Sequence, residues 1–372
     1  MQIIKSTREA FAAPVQAVSG IVGKQRQTLP ILSNILIKKT GTRAEFTATD
    51  LDIEIKTFAD IGAEGPDVSV TVDAAKLQSL ISALNHGSEV TLSQPSENEP
   101  MVELRQGKST FKLNTLPAEE FPSRKETTFT QSLVIPSNKL RHLLQLVHFS
   151  MAQQDIRYFL NGMLLSAEAD TIRVVTTDGH RLAYCESKLE NPLSDSILCI
   201  IPRRTVLEML RLIPDNDEPI RLDVSDVEIR IGWGNIVLSS KLVEGKFPDY
   251  NRVIPVNNTN IFVVKRDALL SALKRTAILA NAKLRGVKWE LRTNTLTVQS
   301  TNSDQEEAKD VLDINYNGID IDIGFNLLYL QDVLNNLRTE EVQFALHSNT
   351  GAMLVSMPDN SSFKYVVMPM RT

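Results

Sequence analysis

The residues of this 372-residue chain best placed to do chemistry are Asp178, His180 and Cys185. On a strand, Asp178 and His180 would point to one face, where a carboxylate could orient an imidazole as the general base of a hydrolase. The rest of the sequence lends that pair little. His86, His142, His148 and His347 lie in unrelated segments, and no GxSxG elbow, P-loop, GxGxxG or HExxH occurs. Cys185 and Cys199 lack metal-like spacing and form no CxxC pair, so both are expected to be free, buried thiols in a reducing cytosol. No carboxylate cluster has the spacing of a dedicated metal site. The expectation is therefore no catalytic residue, no cofactor and no metal. Asp50 and Asp304 recur at the position of Asp178, which reads as a turn residue of the fold. The histidine does not recur, which suits a binding feature special to the middle of the chain.

The elements that must carry these residues are repeated three times. Apolar residues at helical spacing predict first helices over Arg8–Ser19, Ser137–Ser150 and Lys265–Thr276, and second helices over Lys76–His86, Arg203–Ile213 and Asn326–Arg338. Ser137-Asn138 reads as an N-cap, and Gly87 and Pro214 as stop signals. A hydroxyl-Asp pair sits midway in each copy (Thr49-Asp50, Thr177-Asp178, Ser303-Asp304), and each closes at Phe121-Pro122, Phe247-Pro248 or Met368-Pro369. Between the helices, period-two segments such as Ala44–Asp50, Thr171–Thr177 and Thr295–Ser300 read as half-buried antiparallel strands. The fold class is α+β: three domains, each with two helices and two short sheets, over residues 1–126, 127–254 and 255–372. Thr127–Ser132 and Ile254–Asn260 are the expected linkers.

Composition is that of an ordinary globular chain, 42% hydrophobic and 23% charged, with no apolar run long enough to span a bilayer and no signal peptide at the start. A cytoplasmic location follows as an expectation. The net charge of −5 argues against a nucleic-acid binder taken as a whole, but the charge is segregated. The six predicted helices hold twelve Lys/Arg against four Asp/Glu, a net +8, which leaves −13 elsewhere. Helices lining one surface would make a basic track for phosphates, carrying no sequence information and weakening with salt.

Five segments carry a family resemblance: Thr28-Leu-Pro-Ile-Leu-Ser-Asn34, Arg157-Tyr-Phe-Leu-Asn-Gly-Met163, Thr177-Asp-Gly-His-Arg-Leu-Ala183, Lys241-Leu-Val-Glu-Gly-Lys-Phe-Pro-Asp-Tyr250 and Tyr365-Val-Val-Met-Pro-Met-Arg371. In order and over essentially the whole chain, they resemble the bacterial DNA polymerase III beta subunits, the sliding clamps of the replicase. The resemblance implies three clamp domains per chain and a head-to-tail homodimer closing a pseudo-sixfold ring around duplex DNA. It implies a non-catalytic processivity factor, associated with the nucleoid and replisome, that tethers the DNA polymerase III alpha subunit, the clamp loader, and other DNA polymerases and repair proteins carrying a clamp-binding motif.

Carried over position by position, the family's partner-peptide cleft falls on Arg157, Leu160, Thr177, Gly179, His180, Arg181, Leu182, Pro248, Arg252, Val253, Asn326, Tyr329, Val366, Met368, Pro369, Met370 and Arg371. Its apolar members would accept the Leu and Phe anchors of a short peptide. Leu284 stands where an aromatic residue is common, and Thr372 where an aliphatic one is usual. Contacts to the DNA backbone fall on Arg26, Gln154, Tyr158, Arg203, Arg204 and Arg285. The dimer seam falls on Lys108, Phe111 and Leu113 against Ile278, Leu279, Glu306 and Glu307, with Arg105 and Lys112 facing Asp304 and Asp310. Besides a hydrolase, the rival reading is a scaffold that binds peptides but not DNA.

Overall fold

The computed structural model describes residues 1–23, 29–96 and 99–370, and among them the chain forms six α-helices and four antiparallel sheets. The helices are α1 (Arg8–Ser19), α2 (Ala74–Ala83), α3 (Ser137–Val147), α4 (Arg203–Leu212), α5 (Arg266–Ala277) and α6 (Leu327–Asn336), one on each predicted segment. Polar side chains start them: Thr7 accepts the Ala10 N–H at 3.3 Å, Asp73 the Lys76 N–H at 2.8 Å, and Asn326 the Leu328 N–H at 2.9 Å. Ser137, expected to cap α3, lies inside it and donates its hydroxyl to the Asn216 carbonyl at 2.6 Å. That helix also stops early, its last predicted turn tightening into a 3-10 turn at His148–Ser150.

The charge pattern needs correction at these ends. Lys265 and Arg338 fall outside the helices, so the net helical charge is +6, ten basic residues against four acidic, and α6 is net negative through Asp332. Four guanidiniums are also held by carbonyls at helix C-termini. Arg8 donates to Ile81 at 2.9 Å, Arg141 to Leu210 at 2.6 Å, Arg266 to Leu337 at 2.6 Å and Arg211 to Ala17 at 2.7 Å. Last-turn carbonyls lack intrahelical donors, and the negative end of the dipole favours a cation there.

The chain divides into two compact units, Met1–Asn138 with Arg211–Leu242 and Lys139–Leu210 with Val243–Thr372. The first holds an eight-stranded sheet in the order Val68–Asp73, Asn34–Thr40, Arg43–Thr49, Ile53–Ala59, Ile236–Lys241, Glu228–Trp233, Pro219–Val224, Gln131–Pro136. Helix α1 buries Phe11, Pro14, Val15 and Val18 on one face, where Phe11 meets Phe46. Ile31, Leu32, Leu36 and Phe121 form a cluster on the other. The second unit repeats the plan as Ile197–Pro202, Gly162–Glu168, Thr171–Thr177, Arg181–Lys188, Asn360–Val367, Met353–Met357, Glu341–Leu346, Asn260–Lys265. Each unit adds a four-stranded sheet. One ends on the open edge strand Ser109–Asn114, the other on the open edge strand Glu307–Asp313.

Three expectations change. The short sheets merge pairwise, because Ile53–Ala59 pairs with Ile236–Lys241 and Arg181–Lys188 with Asn360–Val367, so sequence-distant four-strand groups share one ladder. The central strands are covered on both faces rather than half-buried; in Thr171–Thr177 only Arg173 is not buried. The linkers are pinned, Thr127 donating to Glu228 at 2.8 Å and Asn258 to the carbonyls of Ala345 and Ala352. The third copy of the turn is also shifted. Thr176 and Ser300 both close a first helix, on the carbonyls of Val147 and Thr276, each at 2.5 Å. That register makes Asn302, not Asp304, the counterpart of Asp178, and the Asn302 side chain accepts the N–H groups of Asp304 and Glu306.

Candidate functional site

The site grows from the tight turn between Thr171–Thr177 and Arg181–Lys188. Thr177 donates its hydroxyl to the Arg181 carbonyl at 2.6 Å and accepts the Gly179 N–H at 3.1 Å. Asp178 Oδ1 accepts the N–H groups of His180 at 2.9 Å and Arg181 at 3.1 Å. Gly179 has φ +90°, and a Cβ there would lie 3.1 Å from the Arg157 guanidinium, so glycine serves both the turn and the close approach. This geometry removes the proposed Asp178–His180 base. The two residues lie in a turn, not a strand, and the Asp178 carboxylate is occupied by backbone N–H groups and by Arg181 Nε at 3.0 Å. Cys185 is buried, and burial pushes its thiol up to about 12, as it does that of Cys199.

Two arginines frame the turn. Arg157 is gripped by Asp155 through bonds of 3.0 and 2.9 Å, which hold the Asp155 carboxyl down at about 2, and it leans over Gly179. Arg181, only 10% exposed, donates to Asp178, to Asp332 Oδ2 at 2.6 Å and to the Phe149 carbonyl at 2.7 Å, with its guanidinium 4.3 Å from the Tyr329 ring. Burial alone would lower its pKa, but Tyr365 and the two carboxylates outweigh burial and raise it. Arg181 therefore ties the turn to α6 and to the end of α3. Tyr365, buried beneath, donates to the Tyr329 carbonyl at 2.9 Å.

Beside the turn lies an apolar cavity of about 290 Å³. Its floor belongs to the cluster of Leu164, Val175, Leu182, Tyr184, Ile200, Phe247 and Val366, against which Phe159, Tyr250 and Val253 pack. The C-terminal segment is laid along it, Met368 donating its N–H to the His180 carbonyl and Met370 to that of Gly324, both at 2.9 Å. Arg157, His180 and Arg181 also line a second, polar trough of about 590 Å³ that includes Phe149, Tyr329, Asp332, Arg203 and Leu207. A third cavity, of about 260 Å³, is lined by Leu284, Lys288, Met370 and their neighbours. Among the described residues, no group of three His, Cys, Asp or Glu is placed to hold a metal. An apolar pocket rimmed by a few fixed polar groups is equipped to bind, not to transform.

Family models for the N-terminal, central and C-terminal domains of the DNA polymerase III beta subunit match residues 1–125, 134–249 and 251–371. The chain is 40% identical to the beta sliding clamp of Pseudomonas aeruginosa and 38% identical to that of Escherichia coli, over 364 residues and 98% of each chain. The crystal structure of the Pseudomonas aeruginosa clamp bound to griselimycin matches with a TM-score of 0.94 at 39% identity, covering 100% of both chains. That of the Caulobacter crescentus clamp matches at 0.93 and 32% identity, over 100% of this chain and 99% of that one. The chain belongs to the DNA polymerase III beta subunit family. Its function is that of the family, a DNA sliding clamp in replication, and it is a non-catalytic processivity subunit.

The residues assigned to a beta-subunit cleft distribute unevenly. Arg157, Leu160, Thr177, Gly179, His180, Arg181, Leu182, Pro248, Val253, Val366 and Met368 line the apolar cavity. Tyr329 lines the trough, and Met370 the third cavity beside Leu284, which is 63% exposed. Asn326 is occupied as the cap of α6, Arg252 pairs with Asp249 at 3.1 Å, and Pro369 lies between the two anchored methionines. Arg371 and Thr372 lie outside the described residues, as does Arg26. Of the positions assigned to DNA, Gln154 and Tyr158 are exposed on the Arg157 loop, Tyr158 at 74%, so Tyr158 is not a core aromatic. Arg204 and Arg285 are exposed, while Arg203 is half-buried in the trough. At the seam positions Lys108 is exposed, Phe111 and Leu279 are half-buried, Leu113 is buried and Ile278 is 79% exposed. Glu306 and Glu307 are held by the amides of Asn302 at 2.6 Å and Gln299 at 2.8 Å.

Sequence reading missed Phe159, Phe247 and Tyr250 in the cavity wall and Asp155 and Asp332 as the anchors of its arginines. Phe247 had a signal, since it recurs as Phe121 in the closing Phe-Pro pair. Asp332 had none beyond being the single acid of α6.

Proposed function

We propose that two copies of this chain close head to tail around duplex DNA, each contributing domains over residues 1–126, 127–254 and 255–372. The apolar cavity would then hold short apolar-anchored segments of DNA polymerase III alpha, the clamp loader and other clamp-dependent polymerases and repair proteins. The observation that carries the ring is the pair of open edge strands. Ser109–Asn114, with Lys108 and Lys112, is complementary to Glu307–Asp313, where Glu306, Glu307 and Asp313 outnumber Lys309 and Asp310 is already paired with Arg275 at 2.6 Å. Open edges are templates for pairing, and opposite charge selects which edge meets which. The exposed Ile278 and Val311 add apolar area on the acidic side. The amides on Glu306 and Glu307 orient these carboxylates without neutralising them, so their charge stays available to the partner's lysines. Backbone contacts to DNA are assigned to Gln154, Tyr158, Arg203, Arg204 and Arg285 with Arg26, and the protein works at the nucleoid, on the replisome.

Retention on nicked circular duplex tests this reading. Loaded protein should stay on the circle through gel filtration and leave once the circle is linearised, since only a topological link depends on free ends. Equal retention on both forms would overturn the ring and favour a scaffold that grips DNA directly or not at all.

A further inference from the structure

Asparagine followed by glycine occurs twice in the chain, at Asn161-Gly162 and Asn317-Gly318. In such a pair the backbone nitrogen can close on the preceding side-chain carbonyl, because glycine has no Cβ to obstruct the approach. The fold treats the two pairs differently. Asn161 is half-buried and locked, its side chain accepting the Asp155 N–H at 2.9 Å and donating to the Asp155 carbonyl at 2.8 Å, and Gly162 begins a strand. Asn317 and Gly318 are exposed in the loop between Glu307–Asp313 and Ile321–Asn326. Among the described residues no hydrogen bond holds the Asn317 side chain or the Gly318 N–H. Glycine is nonetheless required there, since a Cβ on residue 318 would lie 2.5 Å from the Tyr316 hydroxyl and 2.7 Å from Asn260 Oδ1. Tyr316 is buried and donates that hydroxyl to the Ile319 carbonyl at 2.6 Å, clipping the loop across the pair. Packing therefore keeps beside Asn317 the residue least able to shield it.

We propose that Asn317 is a site of spontaneous modification, converted to isoaspartate by its own backbone, and that the product opens the Tyr316 clip. The Gly318 nitrogen attacks Asn317 Cγ. The N–Cγ bond forms, the Cγ–Nδ2 bond breaks, and the Gly318 amide proton leaves with the side-chain nitrogen as ammonia, so no oxidant or reductant takes part. Water then opens the cyclic imide, at the backbone carbonyl to give isoaspartate or at the side-chain carbonyl to give aspartate. Isoaspartate routes the main chain through one more carbon, about 1.5 Å of added path. The short span that Tyr316 closes onto Ile319 has no room for it. Either product also adds a carboxylate to a loop already carrying Asp313 and Asp320 at its ends.

The test ages the full chain in mildly alkaline buffer, which favours the deprotonated Gly318 nitrogen, and compares its proteolytic peptides with those of fresh protein by mass spectrometry. The peptide holding Asn317 should gain the mass of OH in place of NH2 and accept a labelled methyl group from an isoaspartyl O-methyltransferase. The peptide holding Asn161 should stay unchanged. Asn317→Gln should abolish both signals. The aged chain should also unfold at a lower urea midpoint than fresh protein, and lower than Asn317→Asp, which adds the charge without lengthening the backbone. No reaction at Asn317, equal reaction at Asn161, or methyl label that survives in N317Q would overturn the site. An aged chain whose midpoint matches that of N317D would overturn the opening of the clip.

Discussion

Two turns of this molecule, one in each unit, are built to the same pattern and do different things. In the first, Thr49 donates to the Ile53 carbonyl at 2.9 Å and accepts the Leu51 N–H at 3.0 Å, while Asp50 accepts the N–H groups of Asp52 and Ile53. In the second, Thr177 and Asp178 make the same four bonds around Gly179 to Arg181. The third residue is left-handed in both, Leu51 at φ +78° and Gly179 at φ +90°. What differs is the three residues enclosed and, at the second turn, the Arg157 guanidinium laid over Gly179. Leu51, Asp52 and Ile53 become Gly179, His180 and Arg181, and Leu29, before the 3-10 turn Pro30–Ser33, becomes Arg157, before Tyr158–Leu160. A leucine in left-handed backbone stands half out in solvent at 45% exposure, whereas the glycine admits a guanidinium. The hydroxyl and the carboxylate belong to the fold. On the proposed reading of the cavity, partner binding would rest on what the turn leaves variable.

Arg181→Ile breaks the comparison hardest, because it gives the second turn the residue of the first. It strands Asp178 and Asp332, which are 17% and 40% exposed. Orphaning fully buried partners costs more, so about 2 kcal/mol is expected here, read as a lower urea midpoint at constant m-value. Partner-peptide binding should fall with it, since α6, the end of α3 and the turn lose their common tie. A variant that keeps wild-type affinity would reduce Arg181 to a bystander.

Exchanging the left-handed residues is the next test. Gly179→Leu forces a side chain into φ +90° with its Cβ 3.1 Å from the Arg157 guanidinium. The expected cost is about 1–2 kcal/mol in stability, with a larger, at least tenfold, loss in peptide affinity because Arg157 is displaced from the cavity wall. The reverse change, Leu51→Gly, relieves strain and should leave partner binding untouched. Equal effects of the two changes on binding would mean that the turns are functionally equivalent.

Repetition made the fold legible. All six helices, the alternating strands and the closing Phe-Pro pairs show in the sequence because periodicity and caps are local. The merging of short sheets into eight-stranded ones was not legible, since Ile55 meets Leu238 and Leu182 meets Val366 across long stretches of chain with no local signal. Helix ends set the charge reading astray, because a residue or two at Lys265 and Arg338 changes a net charge, and because carbonyl capping by Arg8, Arg141, Arg211 and Arg266 is a tertiary event. At the site, recognisable motifs supplied the cavity wall, including Gly179 and Met368. Asp332 went unseen because its ion pair with Arg181 joins positions that only folding brings together, whereas Asp155, two residues before Arg157, was local and still unread.

The smallest expected effect concerns that hidden layer. Asp155 has no counterpart holding Leu29, and its hydrogen bonds to Arg157 keep its carboxyl at about 2, below the ordinary 3.8. A carboxyl depressed on folding contributes stability that is complete above the unfolded value and lost only as pH falls through the folded one. The Arg157 clamp should therefore hold from pH 8 down to pH 4, and the affinity for a peptide without titratable groups should show no step from Asp155 in that window. A carboxyl-carbon NMR titration should place the Asp155 midpoint near 2 in the wild type and return it toward 3.8 in Arg157→Gln. Asp155→Asn should weaken the peptide only a few-fold, since ion pairs open to solvent are worth little. An ordinary midpoint in the wild type would show that Arg157 is not clamped, and the contrast with Leu29 would then reduce to steric room over Gly179.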